Sequence, residues 1–231
     1  MSPDYRQFEK LADLHFKNID LLAQAFTHRS YINEHRELGL EHNERLEFLG
    51  DAVLELVVTD FLYLKYPEKT EGDLTSYRAA LVNAVTLSEV SRKLDMNRYL
   101  QLSRGEAKDT GRARDTILAN TFEALIGAIY MDQGYDMAKE FISKHLFHII
   151  DEVVDKKLWL DAKSHFQEKA QQHEGVTPEY RTIGEEGPDH DKYFTVGVFL
   201  REEEVASGKG RSKQEAEQEA ARKALEAKGW G

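Results

Sequence analysis

The stretch His42-Asn43-Glu44-Arg45-Leu46-Glu47-Phe48-Leu49-Gly50-Asp51-Ala52-Val53-Leu54 carries two patterns at once. Leu46, Leu49, Val53, Leu56, Val57 and Phe61 recur at three- and four-residue spacing, which predicts a helix from about Asn43 to Tyr66. Pro67 ends it, because proline has no amide hydrogen to donate and restricts the residue before it. Glu44, Glu47 and Asp51 stand at i, i+3 and i+7 of that helix, so their side chains share a face. Like charges so spaced repel, costing an isolated helix roughly a few tenths of a kcal/mol per pair. A solvated acidic face accounts for such a triplet without function; a cation held between the acids accounts for it with one. Gly50, a poor helix former, sits between Glu47 and Asp51, where it lets another backbone or a ligand come close.

A second helix is predicted from about Asp115 to Asp132, through Ile117, Leu118, Phe122, Leu125, Ile126 and Ile129, with Gly134 as its stop. Asn120 and Glu123 stand at i, i+3 inside this apolar run. A carboxylate among Phe122, Ala124, Leu125 and Ile126 requires a partner, since burying an unpaired charge is costly. Two acidic helix faces meeting around a divalent cation would supply one. Oxygen-only ligands suit a hard ion such as Mg²⁺, which keeps several waters and needs few protein carboxylates. A di-iron bundle is the rival, but it uses Glu-x-x-His pairs, and no glutamate here is followed by histidine three residues on.

Shorter helices fit Asp20–Arg29, Asp73–Leu94 with a break near Ala84, and Asp136–Val154, so the chain reads as helical almost throughout from Tyr5 to Asp155. The texture changes after Leu160. A helix over Asp161–Glu174 gives way at Pro178 to strands over Glu179–Ile183, Lys192–Leu200 and Glu203–Gly208, with Gly184–Pro188 as a turn-rich connection. A last helix spans about Ser212–Ala227. The expected fold class is an all-α domain, residues 1–156, followed by a small α+β domain of order α-β-β-β-α, residues 157–231, with the boundary in Asp155-Lys156-Lys157.

Composition narrows the function. Of 231 residues, 41% are hydrophobic and 32% charged, which suits a globular rather than a disordered chain. No apolar run approaches the roughly 20 residues needed to cross a bilayer. The start, Met-Ser-Pro-Asp-Tyr-Arg, lacks a secretory signal's basic and apolar regions, so a cytoplasmic location and no membrane partner are expected. Absence of cysteine excludes disulfides, thiolate metal sites and thiol nucleophiles. The net charge of -11 counts against a nonspecific polyanion binder. It leaves room for a local basic strip acting within a Debye length of about 8 Å.

The run from His42 to Leu54 resembles the signature of the ribonuclease III family, and the likeness continues in Glu71-Gly72-Asp73-Leu74 and from Asp115 to Gly127. The resemblance spans essentially the whole chain. It implies an all-helical endonuclease domain working as a homodimer, each subunit cutting one strand of double-stranded RNA. The family's metal-binding positions fall on Glu47, Asp51, Asn120 and Glu123, with Asp51 and Glu123 catalytic. Glu44 and Glu71 match supporting acidic positions, and Phe48 matches a residue that plugs the partner across the dimer interface. The implied chemistry is metal-assisted phosphodiester hydrolysis: Mg²⁺, with Mn²⁺ as substitute, activates water, and a second ion about 4 Å away stabilises the leaving 3′ oxygen. The implied products carry 5′-phosphate and 3′-hydroxyl ends with short 3′ overhangs, as in rRNA precursor maturation. No small-molecule cofactor is implied. Asn120 departs from the family, whose usual residue there is Asp; an amide offers a carbonyl oxygen but no negative charge.

In the second domain, Gly208-Lys209-Gly210-Arg211-Ser212-Lys213 opening the last helix offers backbone amides and lysines to phosphate; a glycine turn with a serine cap is the plainer alternative. Its spacing is not that of a phosphate-binding P-loop. The domain resembles a double-stranded RNA-binding domain, a class that reads A-form shape, 2′-hydroxyls and phosphate spacing. That resemblance implies minor-groove contacts from Ser164, Gln167 and His190, and phosphate contacts from Lys209, Arg211, Ser212 and Lys213. Gln214, where many members carry a second lysine, and Glu217 and Glu219 on the same helix point to modest phosphate affinity, raised by avidity in a dimer. Three functions are compatible with these residues: an active endonuclease, a cleavage-impaired RNA-binding protein owing to Asn120, and a structural ribonucleoprotein component.

Overall fold

The computed structural model describes residues 3–155, 162–188 and 192–230. The chain divides into two compact units, residues 1–159 and 160–231. The boundary expected at residue 157 lies outside the described residues.

The first unit is helical: α1 (Tyr5–Ala12), α2 (Ile19–Ala25), α3 (Arg29–Glu34), α4 (Glu44–Lys65), α5 (Glu71–Val82), α6 (Ala84–Lys93), α7 (Arg112–Gln133), α8 (Tyr135–Leu146) and α9 (Ile149–Asp155), with short 3₁₀ turns between. α7 is the axis of this unit. Leu118, Phe122, Leu125, Ile126 and Ile129 are all buried around it. Each such side chain contributes about 1.5–3 kcal/mol when removed from water. α6 is tied to α7 where Ser91 Oγ donates to the Leu118 carbonyl (3.0 Å) and Arg92 pairs with Asp115.

The predicted breaks are refined by local chemistry. The expected helix over Asp20–Arg29 is two, α2 and α3, because Thr27 between them bridges Gln101 and its carbonyl accepts the Asn43 amide (2.9 Å). Asn43 is buried and donates through Nδ2 to the Ala25 carbonyl (3.2 Å), so the start of α4 is pinned to the end of α2. The Asp73–Leu94 stretch breaks at Asn83, whose side chain caps α6 by accepting from the Thr86 amide (2.9 Å). Asp136–Val154 is likewise interrupted, after Leu146. Leu56, counted with the core-facing residues of its helix, is 57% exposed.

The second unit orders α10 (Ala162–Glu174), β1 (Glu179–Glu186), β2 (Tyr193–Leu200), β3 (Glu203–Gly210) and α11 (Lys213–Lys228). The strands form one antiparallel sheet in the order β1-β2-β3. Val196, Val198 and Leu200 alternate inward along β2 and, with Phe166 of α10 and Ala220, Ala221 and Leu225 of α11, are buried. Trp230, just past α11, stacks on Phe166 and on His173 with ring centroids 5.7 and 5.0 Å apart, closing the two helices together. Two expectations are corrected. Gly184-Glu185-Glu186 belongs to β1 rather than to a turn, continuing past a bulge between Thr182 and Gly184. Gly208-Lys209-Gly210 ends β3 and does not open the last helix. The reason is steric: a Cβ on Gly208 would stand 2.3 Å from the Ala220 nitrogen, and one on Gly210 2.6 Å from the Ala216 nitrogen. These glycines seat the strand on α11.

Candidate active site and nucleic-acid interface

α4 and α7 cross where glycine meets backbone. A Cβ on Gly50 would lie 1.8 Å from the Glu123 carbonyl oxygen, and one on Gly127 would lie 2.1 Å from that of Leu46. Any larger residue would force the helices apart. The crossing places the residues around Gly50 against those around Glu123. Glu47, half-buried on α4, is hydrogen-bonded to Asn120 of α7. Burial, Glu44 and Asp51 push the Glu47 carboxyl above its usual range, and the Asn120 bond only partly offsets them. Glu123 is pushed up to about 7 by burial first and then by Asp51, Glu47 and Glu55. Glu47, Asp51, Asn120 and Glu123 are thus brought within one another's electrostatic reach.

The donor set fits a hard divalent cation: every donor is oxygen, and every charge acting on Glu47 and Glu123 is negative, so a cation is what the site lacks. It is not a preformed cage. Among the described residues no three histidine, cysteine, aspartate or glutamate side chains stand close enough to hold a metal ion.

The flanking acids are placed differently. Glu44 is exposed and occupied, accepting from Arg29 Nη1 (3.1 Å), with His42 Nδ1 3.8 Å away. Glu71 opens α5, and its carboxylate accepts from Thr75 Oγ1 (3.4 Å) one turn along its own helix. Glu55, passed over in the sequence, continues the acidic face at i+4 from Asp51; that spacing alone could have flagged it. Phe48 is 82% exposed, and Leu56 and Tyr63 of the same helix are 57% and 70% exposed. With Ala52 they form a solvent-facing apolar stripe, of which the helical period counts Leu56 toward the core.

In the second unit, Ser164 and Gln167 lie on the exposed face of α10 and, with Glu168, Gln171 and Gln172, line a shallow concavity. Lys209, Arg211, Ser212 and Lys213 gather where β3 meets α11. Lys209 pairs with Glu186 (2.5 Å) and lies over the Tyr193 ring (5.5 Å). Arg211 Nε donates to the Tyr193 hydroxyl (3.1 Å), while its backbone amide donates to Glu215 (2.9 Å). Ser212 caps α11 by accepting from the Glu215 amide (3.2 Å), and Lys213 sits over the Phe194 ring (5.7 Å). Tyr193 and Phe194, which support these cations, were not singled out in the sequence. His190 lies outside the described residues.

Residues 18–150 match the family described as Ribonuclease-III-like, and residues 162–228 match the double-stranded RNA binding motif. The chain belongs to the ribonuclease III family. It is an endoribonuclease carrying a double-stranded RNA-binding domain. Ribonuclease 3 of Pelotomaculum thermopropionicum is 50% identical over 205 residues, covering 89% of this chain and 85% of that protein. Ribonuclease 3 of Carboxydothermus hydrogenoformans is 46% identical over 218 residues, covering 94% and 93%. A solved nuclease domain of ribonuclease III from Campylobacter jejuni, described for flexibility in a region involved in dimer formation, is 36% identical with a TM-score of 0.55. It covers 62% of this chain and 98% of that one. Among the described residues of this ribonuclease III no helix is long and apolar enough to cross a membrane.

Proposed function

We propose that this chain is a Mg²⁺-dependent endonuclease of double-stranded RNA, acting as a cytoplasmic homodimer in RNA processing such as rRNA precursor maturation, and leaving 5′-phosphate and 3′-hydroxyl ends with short 3′ overhangs. The observation that carries it is the α4–α7 contact at Gly50 and Gly127, beside which Glu47 is hydrogen-bonded to Asn120 and Glu123 is pushed up to about 7 by burial and by the charges of Asp51 and Glu47. Mg²⁺, or Mn²⁺ in its place, would supply charge stabilisation at the phosphate and an activated water. Glu47, Asp51 and Glu123 would hold it through carboxylate oxygens and Asn120 through its carbonyl. Like charges with nothing between them stay apart, so these carboxylates would gather on binding. Asp51 and Glu123 would orient the water for in-line attack, with Glu44 and Glu71 supporting the acidic rim.

The second domain would hold the duplex. Ser164, Gln167 and His190 would read the minor groove, and Lys209, Arg211, Ser212 and Lys213 the phosphates. The stripe of Phe48, Ala52, Leu56 and Tyr63 supports dimerisation, since an apolar helix face of this length is costly to leave in water. No small-molecule cofactor enters the reaction.

A second reading is favoured by one bond. Asn120 spends a side-chain contact on Glu47, where the family's usual Asp would add a charge, and this supports a protein that binds duplex RNA with impaired cutting. Incubation of long duplex RNA with the protein, in Mg²⁺ or in chelator, separates the two. Cutting confined to Mg²⁺ is expected. Uncut RNA with a clear gel shift at high protein and Mg²⁺ sinks the enzyme reading, and recovery in Asn120→Asp would assign the loss to that position.

A further inference from the structure

α5 reaches back to α4 one turn beyond the acidic site. Arg78 Nε lies 3.0 Å from Glu55 Oε2, and Arg78 Nη1 donates to Thr59 Oγ1 (2.9 Å). One guanidinium therefore spans two successive turns of α4. Its own helix is firmly seated: Thr70 and Asp73 form a reciprocal cap at the start of α5, and neighbouring Tyr77 is 1% exposed and packed edge-on against Tyr66. With side chains 33% and 39% exposed, the Arg78–Glu55 pair adds little to stability. Its consequence is where it puts charge. Glu55 follows Asp51 by four residues and Glu47 by eight, so the helix turns it toward the same face. Its charge also reaches Glu123.

We propose that Arg78 is a positioning residue: by gripping Glu55 and Thr59 it withholds a fourth carboxylate from the acidic face of α4, and so sets how tightly the site binds its cation. This rests on the metal-site reading above. Asn120 leaves the site with three carboxylates. Glu55 adds a further negative charge one turn beyond Asp51, and Arg78 offsets it in part without removing it. Loss of Arg78 bares the anion; loss of Glu55 bares the cation.

The two losses must therefore act in opposite directions, which structural damage does not do. The test is the affinity of the full chain for Mn²⁺ without RNA, measured by calorimetry. Arg78→Gln is expected to tighten binding by about threefold to tenfold and Glu55→Gln to weaken it by a similar factor, the scale of one charge acting near a divalent ion at intermediate dielectric. The double variant should return to within about twofold of the parent, because the two effects cancel through one pair. Arg78→Lys, which keeps the charge, should stay near the parent. Weakening in both single variants, or a double variant that sums two losses, overturns the proposal. If Arg78→Gln does not fold, Glu55→Gln still decides, and unchanged or tighter binding there overturns it. A parent that binds no Mn²⁺, or binds it as tightly as Glu123→Gln does, removes the metal site itself and this role with it.

Discussion

Two glycine contacts, one in each unit, press backbone against backbone and leave opposite electrostatics beside them. At the α4–α7 crossing, Gly50 and Gly127 set half-buried Glu47 and Glu123 near exposed Asp51, and every charge that raises their carboxyls is negative. At the β3–α11 contact, Gly208 and Gly210 set Lys209, Arg211 and Lys213 at an edge where anions or aromatic faces already support them. The same packing device thus serves an electrostatically incomplete site and a self-compensated one. Groups whose charge goes unanswered should be sensitive to substitution and to added ions; groups already answered should change function only by degrees.

The largest effect is expected at the incomplete site. Glu123→Ala should lower cleavage of duplex RNA by at least about a hundredfold, the scale of losing one stabiliser of transition-state charge. Duplex affinity, measured by filter binding in chelator, should stay within about twofold of the parent, because the RNA contacts assigned to the second unit are untouched. Equal loss of both would remove the contrast between the units. Next come the glycines. Gly50→Ala and Gly208→Ala each place a methyl where backbone stands, and each should cost about 2–3 kcal/mol, near the upper end for overpacking. Hydrogen exchange should show the loss confined to the unit carrying the substitution; spread through the other unit would mean that the two do not fold independently.

How much of this is legible without coordinates differs between the two contacts. Around Gly50 the sequence is explicit: acids at helical spacing, a glycine between them, and a second run with Asn120 and Glu123. Periodicity finds both helices, and the close crossing follows from glycine's missing side chain. Around Gly208 the same logic misleads in part, since Gly208, Lys209 and Gly210 before a helix read as a turn while sheet register makes them strand; the serine cap, Ser212, is where the sequence puts it. Glu55, Arg78 and the exposure of Leu56 and Tyr63 are hidden for a common reason, whereas Phe48 is singled out only through the family resemblance. Periodicity says which residues share a face but not what that face meets. The split of Asp20–Arg29 at Thr27 depends on Gln101, far along the chain, which no local pattern encodes.

A smaller effect sharpens the electrostatic side. Glu123 has a folded pKa of about 7, raised from its ordinary 4.5, so the fold favours its protonated form. Its contribution to stability is complete below about pH 4.5 and is lost as pH rises through 7. Discounted for partial exposure, the loss is about 1–2 kcal/mol. In chelator, Glu123→Gln should match the parent's melting temperature near pH 5 and exceed it by roughly 3 °C at pH 8. Mg²⁺ should narrow that gap by stabilising the parent alone. A gap that is constant with pH, or that widens on adding Mg²⁺, would show that Glu123 does not carry the unanswered charge. Lys213→Ala, by contrast, should weaken duplex binding and reduce its dependence on log salt by about one, the signature of a single lost phosphate contact. An unchanged slope would take Lys213 off the phosphate.

The smallest effect should come from the most fully compensated group. Lys209 is held by Glu186 at 2.5 Å, and that ammonium, through its hydrogen bond and then its charge, draws the Glu186 carboxyl below its usual range. A phosphate must compete with this carboxylate for the same lysine. Glu186→Gln frees the lysine without moving it off Tyr193, so duplex affinity should rise, by about twofold to fivefold at low salt, and the salt dependence should steepen by less than one contact. The direction matters more than the size. A depressed carboxylate stays ionised until the pH falls below its ordinary range, so neutral buffers leave the pair intact and only the substitution breaks it. If affinity falls instead, Glu186 orients Lys209 for RNA rather than competing for it, and the edge at β3 and α11 is preorganised by its anions, not restrained by them.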